Sequence, residues 1–201
     1  MKARMATALF LLSIAVRGWG QSPDPRPVIL AFGDSMTAGY GVPADLSYPA
    51  QLQKMLDDRG YKYRVVNMGV SGDTSRGGVG RLSRALGTGP DIVILELGSN
   101  DRANGISLKQ TEDNLEQIIA RFQKTHIAVV LAGRSLAGRE EGEDVYVRLA
   151  NKYHLTLIPS FLAGVSGNPD LTISDGTHPN ADGYAIVIRT VMASLEPLLK
   201  K

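Results

Sequence analysis

VILAFGDSMTAGYG, residues 28–41, divides in the middle. Val28 to Gly33 is apolar at every side-chain-bearing position and carries β-branched residues. That is the pattern of a strand buried on both faces, not of one with a wet side. The second half is small, polar and punctuated by Gly33, Gly39 and Gly41, which reads as a permissive turn. A strand buried on both faces needs cover on both, and the rest of the chain supplies it. YPAQLQKMLDDRG (48–60) sets Leu52, Met55 and Leu56 at helical spacing and stops at Gly60. YRVVNMG (63–69) is a second predicted strand, followed by a glycine-weakened helix over Thr74 to Leu86. DIVILELG (91–98) is the third strand. Leu108 to Phe122 then places Leu108, Thr111, Leu115, Ile118, Ile119 and Phe122 on one helical face. IAVVLAG (127–133) and LTLIP (155–159) are the fourth and fifth strands, separated by a helix over Val145 to Lys152. A helix over Ala181 to Leu199 closes the chain. Parallel neighbours require crossover connections, so this alternation predicts one α/β domain over residues 28–201. It is a flavodoxin-like, three-layer domain with a five-stranded parallel sheet and helices on both faces. No repeat or linker divides it.

The N-terminus is of a different kind. MKARMATALFLLSIAVRGWG, residues 1–20, has Lys2 and Arg4, then an apolar run from Met5 to Val16, then Gly18 and Gly20. This is the layout of a secretory signal peptide, with an apolar run too short to span a bilayer. QSPDPRP (21–27) follows as an extended lead-in. The expected location is therefore periplasmic or secreted. The formal charge of the whole chain is +2, and Lys2, Arg4 and Arg17 leave with the leader, so the remainder carries −1. No basic cluster remains to follow a phosphate backbone, which argues against nucleic acid as a partner. With no cysteine and three scattered histidines, disulfides and thiolate or zinc sites are not expected.

In a sheet of this class the crevice lies beyond the carboxyl ends of the strands, so the residues just after each strand carry the chemistry. After the first strand, Ser35 is either the N-cap of a turn or a nucleophile. After the second, Gly72 is either a turn residue or a place where a bare backbone N–H approaches a ligand; Asp73 is expected to cap the next helix. After the third, Asn100 either closes its own loop or donates its amide into the crevice, and Asp101 either shapes that loop or is solvated. Before the last helix, SDGTHPN (174–180) puts Asp175 three residues ahead of His178. That spacing lets the carboxylate hold Nδ1–H and leaves Nε2 to take a proton from a hydroxyl. His126 and His154, at helix ends before strands, are assigned to structure or solvent.

Four blocks in order, FGDSMTAGYG, VNMGVSGDTS, ELGSND and DGTHPN, together resemble the GDSL (SGNH) hydrolase family over nearly the whole span after the leader. SGDTSRGGVGRL and the spacing to DGTHPNADGY are similar to its small secreted bacterial branch of esterases, thioesterases, lysophospholipases and arylesterases. The resemblance implies a serine esterase with Ser35 as nucleophile, His178 as base and then acid, and Asp175 orienting His178. It implies an oxyanion site made of the Ser35 and Gly72 backbone N–H groups and the Asn100 side-chain amide. No cofactor or metal has a task in that chemistry, and the partner is a small-molecule ester or thioester. Met36 stands where the name motif has Leu, a swap of similar-sized apolar residues. GRSLAGREEGED (133–144) is charged and short where relatives carry an apolar loop beside the acyl pocket, which argues against long acyl chains.

A carbohydrate acetylesterase on the same fold is the alternative activity. A silent ligand-binding relative is less favoured, since it has no need of all five residues. A nucleotide-binding domain is opposed by the absence of G-x-G-x-x-G after the first strand and of any G-x-x-x-x-G-K-[ST]; no G-x-S-x-G elbow occurs either. These patterns leave the leaving group and the oligomeric state open.

Overall fold

The computed structural model describes residues 24–133 and 144–201. Residues 1–20, where a leader is expected, and most of the charged loop after the fourth strand lie outside the described residues. Five parallel strands form one sheet: β1 (Val28–Gly33), β2 (Arg64–Gly69), β3 (Ile92–Glu96), β4 (Ala128–Ala132) and β5 (Thr156–Ile158). Their order is β2-β1-β3-β4-β5, the flavodoxin-like arrangement. β1 and β3 are central and buried at every position, as their unbroken apolar runs require, whereas β2 at the edge is only partly covered. The chain leaves β1 toward β2 on one side and returns to β3 on the other. The strand order reverses between these two, and a crevice opens at their carboxyl ends.

Alternate residues of each strand feed two cores. Ile29, Ala31, Ile92 and Ile94 face α2 (Tyr48–Asp58) and α7 (Ala181–Leu195). Leu30, Phe32, Val93 and Leu95 face the opposite layer. That layer holds α4 (Leu82–Leu86), α5 (Leu108–Gln123) and α6 (Val145–Tyr153). In α5 a capping box joins Ser107 and Gln110, and Thr111, Leu115, Ile118, Ile119 and Phe122 are buried on one stripe. Leu108, expected on that stripe, is exposed because it is the first helical residue and lies outside the packed region.

Three further expectations are corrected. The helix over Thr74 to Leu86 is two short ones, α3 (Ser75–Gly80) and α4, broken at Arg81, whose φ is −106°. Thr74, not Asp73, caps α3: its hydroxyl accepts from Gly77 N, while Asp73 pairs with Arg81. The last helix ends at Leu195, and Glu196–Leu198 tightens into a 3₁₀ turn containing Pro197, which has no N–H to continue the α-helical ladder. His126 and His154 sit at φ of 60° and 51°, left-handed backbone positions beyond helix ends, in keeping with a structural assignment.

Candidate active site

The chain turns sharply after β1 into α1 (Ser35–Ala38), a single helical turn. Asp34, not Ser35, is the N-cap: its Oδ1 accepts from Met36 N at 3.0 Å. Ser35 is thereby released from capping and becomes the first helical residue, facing the crevice. Two contacts fix this turn. The backbone of Ala38 lies so close to Gly69 at the end of β2 that a Cβ there would fall 2.1 Å from Ala38 N. From the other side, the buried Tyr184 of α7 donates its hydroxyl to Met36 O at 2.9 Å.

The histidine arrives on a small antiparallel bridge. Thr172 pairs with Pro179, Ile173 N donates to His178 O at 2.9 Å, and Asn180 N donates to Leu171 O at 3.0 Å. The turn between carries Asp175, Gly176 and Thr177. One Asp175 oxygen accepts from Thr177 N at 2.9 Å and His178 N at 3.0 Å; the other lies 2.6 Å from His178 Nδ1. These bonds, the His178 backbone N–H foremost, lower the Asp175 pKa from 3.8 to about 2. A carboxylate held at Nδ1 makes that nitrogen the proton-bearing one. Nε2 then turns its lone pair on the Ser35 hydroxyl, 2.8 Å away. The Tyr40 ring packs against the imidazole with centroids 4.8 Å apart. Hydroxyl, imidazole and carboxylate are thus joined in series, the three groups that the sequence singled out.

Asn100 follows β3, and its Nδ2 donates to Asp34 Oδ2 at 3.1 Å and to Asp73 O at 2.8 Å. Gly72 has φ of 80°, which an L side chain rarely adopts, and an added Cβ would meet no protein atom within 4 Å. Glycine here therefore serves the backbone conformation and the open space above it. Asp101 is buried and shapes its loop: it accepts from Ser75 N at 2.8 Å and from the hydroxyls of Ser75 and Thr111. A cavity of about 280 Å³ opens from Ser35, Asn100 and His178 toward β4 and β5. Met36, Leu97, Phe161 and Leu162 give it apolar wall, and Ser160 and Thr177 give it hydroxyls.

Sequence reasoning passed over Asp34 and Glu96. Both are buried under Ser35. Glu96 Oε2 accepts from Thr37 Oγ1 at 2.9 Å and from Asp34 N at 3.3 Å. Burial, with the Asp34 charge beside it, raises the Glu96 pKa well above the ordinary range. Asp34 Oδ2 accepts from Ser99 Oγ as well as from Asn100. The available signal was one acid inside the apolar run DIVILELG, which must be buried and so must find a partner or a proton. Among the described residues no three His, Asp or Glu side chains converge as a metal centre would require. No described helix is long and apolar enough to cross a membrane.

A parallel α/β sheet carrying a serine hydroxyl, an imidazole and a carboxylate in series at the carboxyl end of its strands has the architecture of a serine hydrolase. A model of the GDSL-like lipase/acylhydrolase family matches residues 31–186, and the chain belongs to that family. It is 36% identical over 178 residues to "Esterase TesA" of Pseudomonas aeruginosa, covering 85% of this chain and 89% of that protein. It is 34% identical to "Thioesterase 1/protease 1/lysophospholipase L1" of Escherichia coli K12, covering 85% and 84%. A crystal structure titled for TesA superposes with a TM-score of 0.76 at 34% identity, covering 86% of this chain and 99% of that one. The protein is accordingly a hydrolase of ester bonds.

Proposed function

We propose that the protein is an exported serine esterase that cleaves small carboxylic esters through an acyl-enzyme intermediate. Acyl thioesters and lysophospholipids are the further substrate classes, since relatives bear esterase, thioesterase and lysophospholipase names. The observation that carries this reading is the run of contacts from Asp175 to His178 at 2.6 Å and from His178 to Ser35 at 2.8 Å. A serine hydroxyl is a weak nucleophile until a base accepts its proton during attack. His178 Nε2 takes that proton as Ser35 Oγ bonds to the substrate carbonyl carbon, and Asp175 stabilises the imidazolium that forms. Negative charge then gathers on the carbonyl oxygen. The backbone N–H groups of Ser35 and Gly72 are the donors proposed to receive it, joined by the Asn100 amide once one of its two N–H groups exchanges Asp34 or Asp73 O for the oxyanion. Collapse expels the leaving group, which takes the proton from His178. Water, deprotonated by the same imidazole, releases the acid and restores Ser35.

Export rests on the leader-like residues 1–20. The 280 Å³ cavity with mixed apolar and hydroxyl walls favours short acyl groups. One panel tests the reading: short and long acyl esters, acyl-CoA thioesters, a lysophospholipid and acetylated sugars, assayed with wild type and Ser35→Ala. The proposal expects Ser35-dependent turnover of short esters. Turnover of acetylated sugars alone would replace it with the carbohydrate reading, and turnover independent of Ser35 would remove it.

A further inference from the structure

The proposed oxyanion donors come from separate loops, and two of those loops meet at Asp73. Asp73 follows Gly72, and its carbonyl accepts from Asn100 Nδ2 at 2.8 Å. Its side chain is held by Arg81, the residue at which the expected helix breaks. Leaving the helical path at Arg81 sends the guanidinium back toward the strand ends instead of out to solvent. Nε donates to Asp73 Oδ2 at 2.7 Å, one terminal nitrogen to Met68 O at 2.6 Å, and the other to Gly33 O at 2.8 Å. The guanidinium carbon lies 4.0 Å from the Phe32 ring centroid. Both charged side chains are largely buried, at 16% exposure for Arg81 and 11% for Asp73.

One planar group therefore ties the last residue of β1, the end of β2 and the loop carrying Gly72. Gly33 lies two residues before Ser35, so the same clamp reaches the base of the nucleophile's turn. Only a guanidinium offers separate, rigidly spaced donors to three acceptors while stacking on a ring; a lysine ammonium is a compact point charge on a flexible stem. We propose that Arg81 is a positioning residue of the oxyanion site. It locks the loop between β2 and α3 onto the end of β1, so that the Gly72 N–H and the Asn100 amide converge beside Ser35. This inference rests on the esterase reading given above. Arg81 touches none of Ser35, His178 or Asp175, so its role is confined to where the donors point.

The test compares wild type, Arg81→Lys, Arg81→Ala and Asp73→Ala on a short p-nitrophenyl ester, at a temperature below the melting transition of each. A displaced donor loop costs transition-state stabilisation, so kcat is expected to fall about 10- to 100-fold. KM should stay within about threefold. The acid limb of the pH–rate profile should not move, because the imidazole and its carboxylate are untouched. The Arg81→Ala/Asp73→Ala double variant should be little worse than either single one, as for two residues acting as a unit. If Arg81→Ala does not fold, Arg81→Lys and Asp73→Ala decide. The inference is overturned if both fold and keep kcat within about twofold of wild type, if the loss lies in KM alone, or if the acid limb shifts. Ser35→Ala, run alongside, separates the two levels. Its inactivity beside wild-type-like Arg81→Lys removes the clamp only, whereas full activity in Ser35→Ala removes the esterase reading beneath it.

Discussion

The floor beneath Ser35 and the turn that carries His178 both hold carboxyl groups at the candidate site, and the fold treats them in opposite ways. On the floor, Asp34 and Glu96 are buried together, and Glu96 is driven toward its protonated form by desolvation and by the neighbouring charge. In the turn, the Asp175 side chain is 37% exposed and accepts two backbone N–H groups and an imidazole, which hold it ionised down to about pH 2. The difference is instructive. A carboxylate that must face an imidazolium is inexpensive to keep charged where water and N–H donors support it. A carboxyl group in the dry interior beside another acid, as Glu96 is, is pushed toward its protonated form, while Asp34 holds Ser99 and Asn100.

The largest expected effect sits where the two regions meet. Ser35→Ala should lower turnover of a p-nitrophenyl ester by about four to six orders of magnitude, measured as kcat on purified protein. If more than a tenth of the activity remains, neither region is built around that hydroxyl. Asp175→Asn keeps the shape of the turn but loses its charge and favours the wrong imidazole tautomer, so kcat should drop by about 10⁴. A loss below about tenfold would mean that the charge of the open turn is dispensable. On the floor side, Asn100→Ala should reduce kcat by about 10²–10³ with little change in substrate affinity. An effect confined to affinity would move Asn100 from charge stabilisation to substrate binding.

The smallest effect separates the regions by pH. The folded pKa of Glu96 lies above that of an unfolded carboxyl, near 4.5. The stability it contributes is therefore full below that pH and is lost as pH rises toward the folded value. Asp175 has the opposite sign: its contribution is present above about 3.8 and is lost as pH falls toward 2. Glu96→Gln removes the first dependence and leaves the second. Melting curves at pH 5 and pH 8 should show the variant gaining on wild type at the higher pH by about 2–4 °C per kcal/mol of relief. A variant that tracks wild type at both values would show that no buried proton is held there.

The fold was legible in sequence where burial is complete. The unbroken apolar runs of β1 and β3 and the striped face of α5 each demand a single environment, and each occupies it apart from Leu108 at the start of α5. Boundaries governed by one side chain were not legible. SRGGVGRL reads as one glycine-weakened helix, and it breaks at Arg81, whose guanidinium turns to Gly33 O, Met68 O and Asp73. In the candidate site, the Asp175–His178 pair is local, three residues apart, and its spacing is a readable signal. The contact between His178 and Ser35 spans 143 positions, so it follows from the strand order and not from any local pattern. Asp34 and Glu96 escaped notice because buried acids have no periodicity; their meaning appears only once each is seen to face the other.

The central claim is that Ser35, activated by His178, forms a covalent bond to substrate-like electrophiles. Intact-protein mass spectrometry after treatment with a fluorophosphonate, followed by peptide mapping, tests it most directly. One adduct per chain on Ser35, absent in His178→Ala and accompanied by loss of ester turnover, is the expected result. An unmodified Ser35 in folded protein that still hydrolyses esters, or an adduct on another residue, would contradict it.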